Sequence, residues 1–315
     1  MARLRAKYID CGAGQIGLWR AALPDYRIEV DVNTGPFDVA DLPSMLDGYQ
    51  ICIDDHTHIP PDVLARCTGL RHFVYFGTGA ASILDLQLAE RMGVQVHTIR
   101  NYGDTTVAEL AAGLMFAAAR RIAPQHAVIR DGGWTKMQGM ELRGRTIGLV
   151  GFGGIGREMA RISAGIGLNV VAWNRSGLGD TPVRSVPLDE LLAISDIVSL
   201  HLALNEQTRG FIDAGRIAAM KRGVILVNTA RGAIVDEDAL VAALHAGQIG
   251  HAALDVFATE PLPEDHPLRT APNVTLTAHC GFWTERATMN QVHLVQGIVA
   301  RLQGEGAGPN ARDTL

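Results

Sequence analysis

At 315 residues the chain is long enough for two domains, each with its own core. A 47% hydrophobic and 19% charged composition is that of an ordinary globular protein, and a net charge of −5 leaves no basic footprint for nucleic acid. The cysteines (Cys11, Cys52, Cys67, Cys280) show no C-x-x-C spacing, the first residues carry no long apolar region, and the longest apolar run, 110–119, is too short to span a bilayer. A reduced, cytoplasmic protein with no membrane partner is the expectation.

The first hundred residues alternate strand-like and helix-like pieces. Strands are expected over 26–32, 50–54, 72–76 and 94–97, and helices over 61–66 and 83–92. Such alternation implies βαβ units on a parallel sheet. Gly12-Ala13-Gly14-Gln15-Ile16-Gly17 matches G-x-G-x-x-G. The segment before it, 4–10, contains Arg5 and Lys7 and reads as a poor buried strand, and Pro24 follows before another strand can begin. This copy reads as a plain strand-to-helix turn. Asp54-Asp55-His56-Thr57-His58 has a metal-like look, because alternate strand residues share a face. No further His or Cys is near, Pro60-Pro61 marks a loop, and no metal is expected. Phe76-Gly77-Thr78-Gly79-Ala80 is either a tight turn or a backbone anion site at a strand end. Thr106-Val107-Ala108-Glu109 reads as the capping box of an Ala-rich helix that reaches about Ile122 and is stopped by Pro124.

The second glycine motif has the context that gives it meaning. The apolar run 146–150 leads into Gly151-Phe152-Gly153-Gly154-Ile155-Gly156, a helix-like segment 157–165 follows, and a second apolar run covers 168–173. Strand, glycine turn, helix and strand in this order read as a dinucleotide site. Gly151 permits the tight turn, Gly153 admits the pyrophosphate, and Gly156 allows close helix–strand packing. The helix offers free N–H groups and its positive end to the phosphates. An NAD-preferring site carries an acid at the end of the second strand; here that strand ends Trp173-Asn174-Arg175-Ser176. Arg175 and Ser176 can bind a 2′-phosphate, so NADP(H) is expected over NAD(H), with NAD(H) as the alternative. Further strands are expected over 197–202, 224–228, 252–257 and 274–277. A last amphipathic helix, 284–303, carries Val292, Val295, Val299 and Leu302 on one face, and a disordered tail with Gly306, Gly308 and Pro309 follows.

Three strand ends carry chemistry. Val227-Asn228-Thr229-Ala230-Arg231-Gly232 places Arg231, Asp255-Val256-Phe257 leads to Glu260, and Thr277-Ala278-His279-Cys280-Gly281 places His279. In open α/β sheets ligands bind at such ends. Reducing a 2-keto acid needs a hydride at the carbonyl carbon and a proton at its oxygen. A histidine can give the proton near neutral pH, a carboxylate can orient it, and an arginine can grip the substrate carboxylate bidentately.

On these segments, together with Leu142-Arg143-Gly144-Arg145 and Met220-Lys221-Arg222-Gly223, the chain resembles the D-isomer-specific 2-hydroxyacid dehydrogenase family over nearly its whole length. The resemblance implies an α/β protein of two Rossmann/flavodoxin-like domains with parallel sheets. A discontinuous substrate domain would comprise 1–101 plus 284–315, and the NAD(P)-binding domain 102–283. It further implies that Arg231 binds substrate, Glu260 tunes the histidine and His279 is the acid/base. Gly77, Thr78 and Gly79 would be the backbone site for the substrate carboxylate. Thr106, Asn174, His201, Thr208, Thr229, Ala230, Arg231, Asp255 and His279 would line the cofactor with Gly151, Gly153, Gly154, Ile155 and Gly156, Asp255 near the nicotinamide amide. The family's homodimer is built through the cofactor domain. Two positions depart from the pattern: Ala278 stands where the family often has proline, and His201-Leu202-Ala203 lacks the usual proline at its third place. Cys280, Phe282 and Trp283 are expected to crowd the histidine, with Phe282 or Trp283 shaping the substrate pocket. The expected activity is NAD(P)H-dependent reduction of a 2-keto acid such as glyoxylate or hydroxypyruvate to the D-2-hydroxy acid. The alternatives are a non-carboxylate anion such as phosphite, or a dinucleotide-sensing corepressor.

Overall fold

The structure, a computed structural model, describes residues 3–12, 14–22 and 27–304. Ala13, Pro24, Tyr26 and the tail after Gly304 lie outside the described residues, so the disorder expected of that tail does too. The chain forms two compact units, Met1–Tyr102 with Thr284–Leu315, and Gly103–Trp283.

The first unit is a five-stranded sheet in the order β2-β1-β3-β4-β5. Its strands are β1 (Ala6–Tyr8), β2 (Val30–Val32), β3 (Ile51–Asp54), β4 (His72–Tyr75) and β5 (Gln95–Thr98), and every pairing is parallel. This is the flavodoxin-like order. The helices α1 (Gln15–Ala21), α2 (Leu42–Met45), α3 (Pro61–Leu64) and α4 (Leu86–Arg91) connect the strands. Period-two alternation decides which side chain faces which layer. Cys52 and Phe73 pack under α2 and α3, while Ile51, Ile53 and Val74 pack against Val292, Val295 and Val299 of the C-terminal helix, Glu285–Leu302. That helix is pinned by its glutamines. Gln291 donates to Phe76 O, Gln296 to Trp19 O, and Gln303 to Leu4 O and Glu29 O.

Residues 4–10 are not the poor strand that Arg5 and Lys7 suggest. β1 is paired on both sides, with Ala6 and Tyr8 buried and Lys7 reaching the Tyr49 ring. A charged residue on a short strand is tolerated when its stem lies along an aromatic face and its amine reaches solvent. Gly12 and Gly14 lead into α1 as the ordinary turn expected. The 54–58 cluster is built around Asp10. Asp10 accepts the N–H groups of Asp55, His56 and Thr57 and the Thr57 hydroxyl. His56 faces Asp10 and Asp55, while His58 turns to Ser82 O, so the two rings have different partners.

The second unit is a seven-stranded, all-parallel sheet in the order β12-β11-β10-β9-β6-β7-β8. Two helices, α5 (Asp104–Ala119) and α6 (Ile122–Arg130), precede β6 (Thr146–Val150). Then follow α7 (Gly154–Gly165), β7 (Asn169–Trp173), β8 (Arg184–Ser185), α8 (Leu188–Ile194) and β9 (Ile197–Leu200). The unit closes with α9 (Ala214–Ala219), β10 (Val224–Asn228), α10 (Glu237–His245), β11 (Ile249–Leu254) and β12 (Val274–Leu276). All five β10 residues are buried, as a central strand covered on both faces requires.

Three expectations fail here for local reasons. α5 begins at Asp104 with Gly103 as its N-cap, which puts Thr106 inside the helix rather than at a capping box. Pro124 does not stop that helix; α5 ends at Ala119, Arg121 takes a left-handed φ of 51°, and Pro124 falls in the first turn of α6. Proline is harmless there because first-turn N–H groups have no helical partner. The strand placed at 252–257 lies three residues earlier, which frees Asp255, Val256 and Phe257 for the loop beyond it. Ala108, Ala111, Ala112 and Ala118 let α5 pack closely in the core that α7 shares. No described helix is long and apolar enough to cross a membrane.

Candidate active site

The strand order of the second unit reverses between β6 and β9, and a crevice at such a switch point is where open α/β sheets bind ligands. The glycine turn lies there. Gly151 has φ of 102°, and a Cβ on it would sit 2.5 Å from the His201 carbonyl oxygen. Gly156 faces the Gly151 carbonyl at the same close range. Gly153 is the N-cap of α7, makes no side-chain cap, and has nothing within 4 Å of its missing Cβ. The first turn of α7, with Gly154 and Ile155, therefore has no side-chain cap on its N–H groups, and the space beside Gly153 is open.

Among the described residues, His201 Nδ1 is buried beside this turn without a protein partner, and so is Thr229 Oγ1 just beyond the end of β10. The His201 backbone lies against Gly151, and its Nε2 is 3.0 Å from Ser199 Oγ. Burial of the ring lowers His201 to about 4, so it is neutral at pH 7. An open helix N-terminus with orphaned donors and acceptors fits a dinucleotide. At the end of β7, Asn174 accepts from Phe152 N and donates to Ser176 Oγ, tying the second strand to the glycine turn. Arg175 is exposed and donates to the Gln207 side chain. Thr208 uses its hydroxyl internally, on Ala203 O and Asn205 N. Thr106 sits half-buried in the first turn of α5.

Arg231, Glu260 and His279 all belong to this unit, on the loops after β10, β11 and β12. His279 Nδ1 is 2.6 Å from Glu260 Oε2, and Glu260 Oε1 accepts from Phe257 N at 2.9 Å. Burial alone would raise the Glu260 carboxyl. Hydrogen bonds from His279 and Phe257, with the charges of His279 and Arg231, outweigh it and hold the group below the usual carboxylate range. Glu260 is thus an anion at neutral pH, with His279 on one oxygen. Arg231 is half-buried, and one of its guanidinium N–H groups donates to Ala230 O. Asn228 builds its loop: its side chain accepts from Ala230 N and donates to Arg231 O.

Asp255 anchors the histidine loop. Its carboxylate accepts from the Thr277 hydroxyl, Cys280 N and Gly281 N, and its carbonyl takes His279 N at 2.7 Å. At 1% exposure and with these donors, the side chain is a loop anchor first. His279 itself is left-handed, φ 48°. A non-glycine residue pays about 1–3 kcal/mol for that conformation, which the Asp255 anchor offsets. The Phe282 ring meets His279 edge-on at 6.2 Å and stacks on Trp283, which is 75% exposed. Cys280 directs its thiol to Asp255 instead of crowding the imidazole. Gly77, Thr78 and Gly79 lie in the other unit, in the turn from β4 to a short 3-10 helix; the Tyr75 ring fills the space beside Gly77, and Thr78 is exposed.

Sequence reasoning missed Asn228, the Phe257 N–H and Gln207. An Asn at a strand end followed by a turn is a detectable signal for the first. The other two depend on where a distant loop folds.

A family model described as D-isomer specific 2-hydroxyacid dehydrogenase, NAD binding domain, matches residues 112–281. A hydroxypyruvate reductase of Thermotoga maritima is 38% identical over 252 residues, 78% of this chain and 82% of that protein. A D-3-phosphoglycerate dehydrogenase of Archaeoglobus fulgidus is 35% identical over 84% of this chain, which spans 51% of that protein's length. The crystal structure of a glyoxylate reductase from Paecilomyes thermophila matches with a TM-score of 0.82 at 30% identity, over 97% of each chain.

Proposed function

The chain belongs to the D-isomer specific 2-hydroxyacid dehydrogenase family, and from that premise we propose that it is an NAD(P)H-dependent reductase of a small 2-keto acid such as glyoxylate or hydroxypyruvate. It is an oxidoreductase that uses a nicotinamide dinucleotide. The observation that carries the finer reading is the 2.6 Å His279–Glu260 contact in one unit with the glycine turn.

The bound nicotinamide supplies the hydride. Glu260 holds His279 by Nδ1, which leaves Nε2 to give its proton to the forming alkoxide. Arg231 grips the substrate carboxylate and polarises the neighbouring carbonyl. In the reverse direction neutral His279 takes the hydroxyl proton. The unit Gly103–Trp283 is the cofactor domain in this reading, with Trp283 bordering the substrate side chain, and the other is the substrate domain. The four free thiols support a reducing, cytoplasmic setting.

The test is oxidation of NADPH and NADH by the purified protein with glyoxylate, hydroxypyruvate, pyruvate and phenylpyruvate at matched concentrations. Turnover with at least one is expected. Tight dinucleotide binding without turnover of any keto acid would overturn the substrate reading and leave a phosphite-type anion to be assayed.

NADP(H) is proposed as the preferred cofactor because the end of β7 carries Asn174, Arg175 and Ser176 and no acid. A charge-assisted hydrogen bond contributes about 1.5–3 kcal/mol. Arg175→Ala is therefore expected to lower the NADPH-over-NADH ratio of kcat/KM by roughly 10- to 150-fold. An unchanged ratio would place the 2′-phosphate contact elsewhere.

A homodimer through the second unit is supported by apolar side chains exposed along α5, α6 and the following segment: Phe116, Ile122, Ile129 and Trp134, the last at 84%. Trp134→Asp is expected to shift the sedimentation coefficient from dimer to monomer. A wild-type protein that sediments as a monomer at micromolar concentration would reject the interface.

A further inference from the structure

The open end of α7 has an acidic neighbour that the sequence does not announce. Asp104, the first residue of α5, lies across Gly154 in the first turn of α7. A Cβ on Gly154 would overlap Asp104 Oδ2 outright and lie 2.5 Å from its Cγ. The carboxyl of one helix thus fills the space that a side chain on the other would take. Among the described hydrogen bonds and ion pairs none reaches this carboxyl, although it is half-buried. The same turn of α7 is flanked by His201, whose Cβ lies near Gly156 and whose Nδ1 is buried without a partner. An uncapped helix N-terminus, an orphaned imidazole nitrogen and an unpaired carboxyl therefore meet at the point where a dinucleotide's diphosphate is to be received.

We propose that Asp104 is a cofactor-binding residue that meets the diphosphate as the neutral acid, donating its proton to a phosphate oxygen, so that dinucleotide binding takes up one proton from solvent. The inference rests on the reading of α7 as the diphosphate helix. Two anions cannot share so small a volume without a cation between them, and the charged groups around Asp104 supply none. From α7 it faces Glu158, which is paired with Arg161. Arg157, on the same helix, donates to Leu178 O and lies over the Phe152 ring. On α5 itself the other charged side chain is Glu109, again an acid. Burial, with Glu158 adding to it, already holds the Asp104 carboxyl above its ordinary value. An arriving diphosphate raises it further. A ligand that raises a group's pKa binds best to the protonated form, so affinity falls as pH climbs above the value in the free protein.

The experiment is a titration of wild type, Asp104→Asn and Gly153→Val with NADPH from pH 6 to 9, followed by nicotinamide fluorescence. Calorimetry at pH 8 in buffers of different ionisation enthalpy counts the protons. Wild-type Kd is expected to rise with pH, by up to roughly tenfold per unit where Asp104 must gain a proton to bind. Asp104→Asn should bind more tightly than wild type at pH 8 and should lose this slope and the proton uptake. Titration of the 2′-phosphate is common to both proteins and cancels in the comparison. Equal slopes in wild type and Asp104→Asn, or weaker binding by the variant at every pH, would overturn the role of Asp104. Undiminished binding by Gly153→Val would instead show that the diphosphate does not lie on α7, and both readings would fall.

Discussion

Replacement of His279 by alanine is expected to lower turnover of the keto acid by about 10²- to 10⁴-fold, the span usual for loss of a positioned acid. Kd for NADPH should change far less than turnover, because the glycine turn and the end of β7 do not depend on the imidazole. The Nδ1 atom is committed to Glu260 at 2.6 Å, so the ring offers one free nitrogen, and the left-handed backbone at 279, fixed by Asp255, aims it. Single-turnover measurement of NADPH oxidation reads the step directly. If His279→Ala keeps most of its rate, the proton comes from another group. Glu260→Gln provides a graded control: it keeps a group that can hydrogen-bond the ring but removes the charge, and its loss should be smaller.

Arg231→Ala is expected to raise KM for the keto acid by roughly 10- to 150-fold, the equivalent of a lost charge-assisted contact of about 1.5–3 kcal/mol. A fall in kcat should accompany it, because the guanidinium also polarises the carbonyl that accepts the hydride. The substitution has a second effect, on Glu260. Arg231 is one of the charges that hold that carboxyl low. Without it the Glu260 carboxyl should titrate at a higher pH, and the acid limb of the kcat/KM profile should move in the same direction. An Arg231→Ala enzyme with unaltered KM would put the anion clamp elsewhere. Arg231→Lys separates charge from geometry: it restores the acid limb but not the bidentate grip.

Legibility followed the range of the interactions involved. The strand 224–228, buried at every position, was read residue for residue because a continuous apolar run between charged ends leaves no other register. The C-terminal helix was read to within a residue, with Thr284 as its N-cap. The strand before Asp255 was misplaced by three residues, since an apolar run that continues into a loop hides where pairing stops. Pro124 misled because a proline that ends one helix and a proline that begins the next look alike in sequence. Within the candidate site, Arg231, Glu260 and His279 were legible from their strand-end positions. What holds them was not. The donors on Asp255, the Asn228 bridge and the approach of Asp104 to Gly154 each join residues that only the folded chain brings together.

The C-terminal helix has a consequence for how the protein is made. One face of the first sheet, with Ile51, Ile53 and Val74, is covered by Val292, Val295 and Val299, and the Gln291, Gln296 and Gln303 side chains lock the cover in place. Between these two parts of the unit the ribosome must translate the whole of Gly103–Trp283. At about 5–20 residues per second that interval is roughly 10–40 s. Through it the nascent first unit carries an apolar sheet face that only the α1 region, with Trp19 and Ala22, covers in part, and the uncovered remainder is the natural client surface for a chaperone on the emerging chain. The unit that is synthesised first is thus the one that finishes folding last.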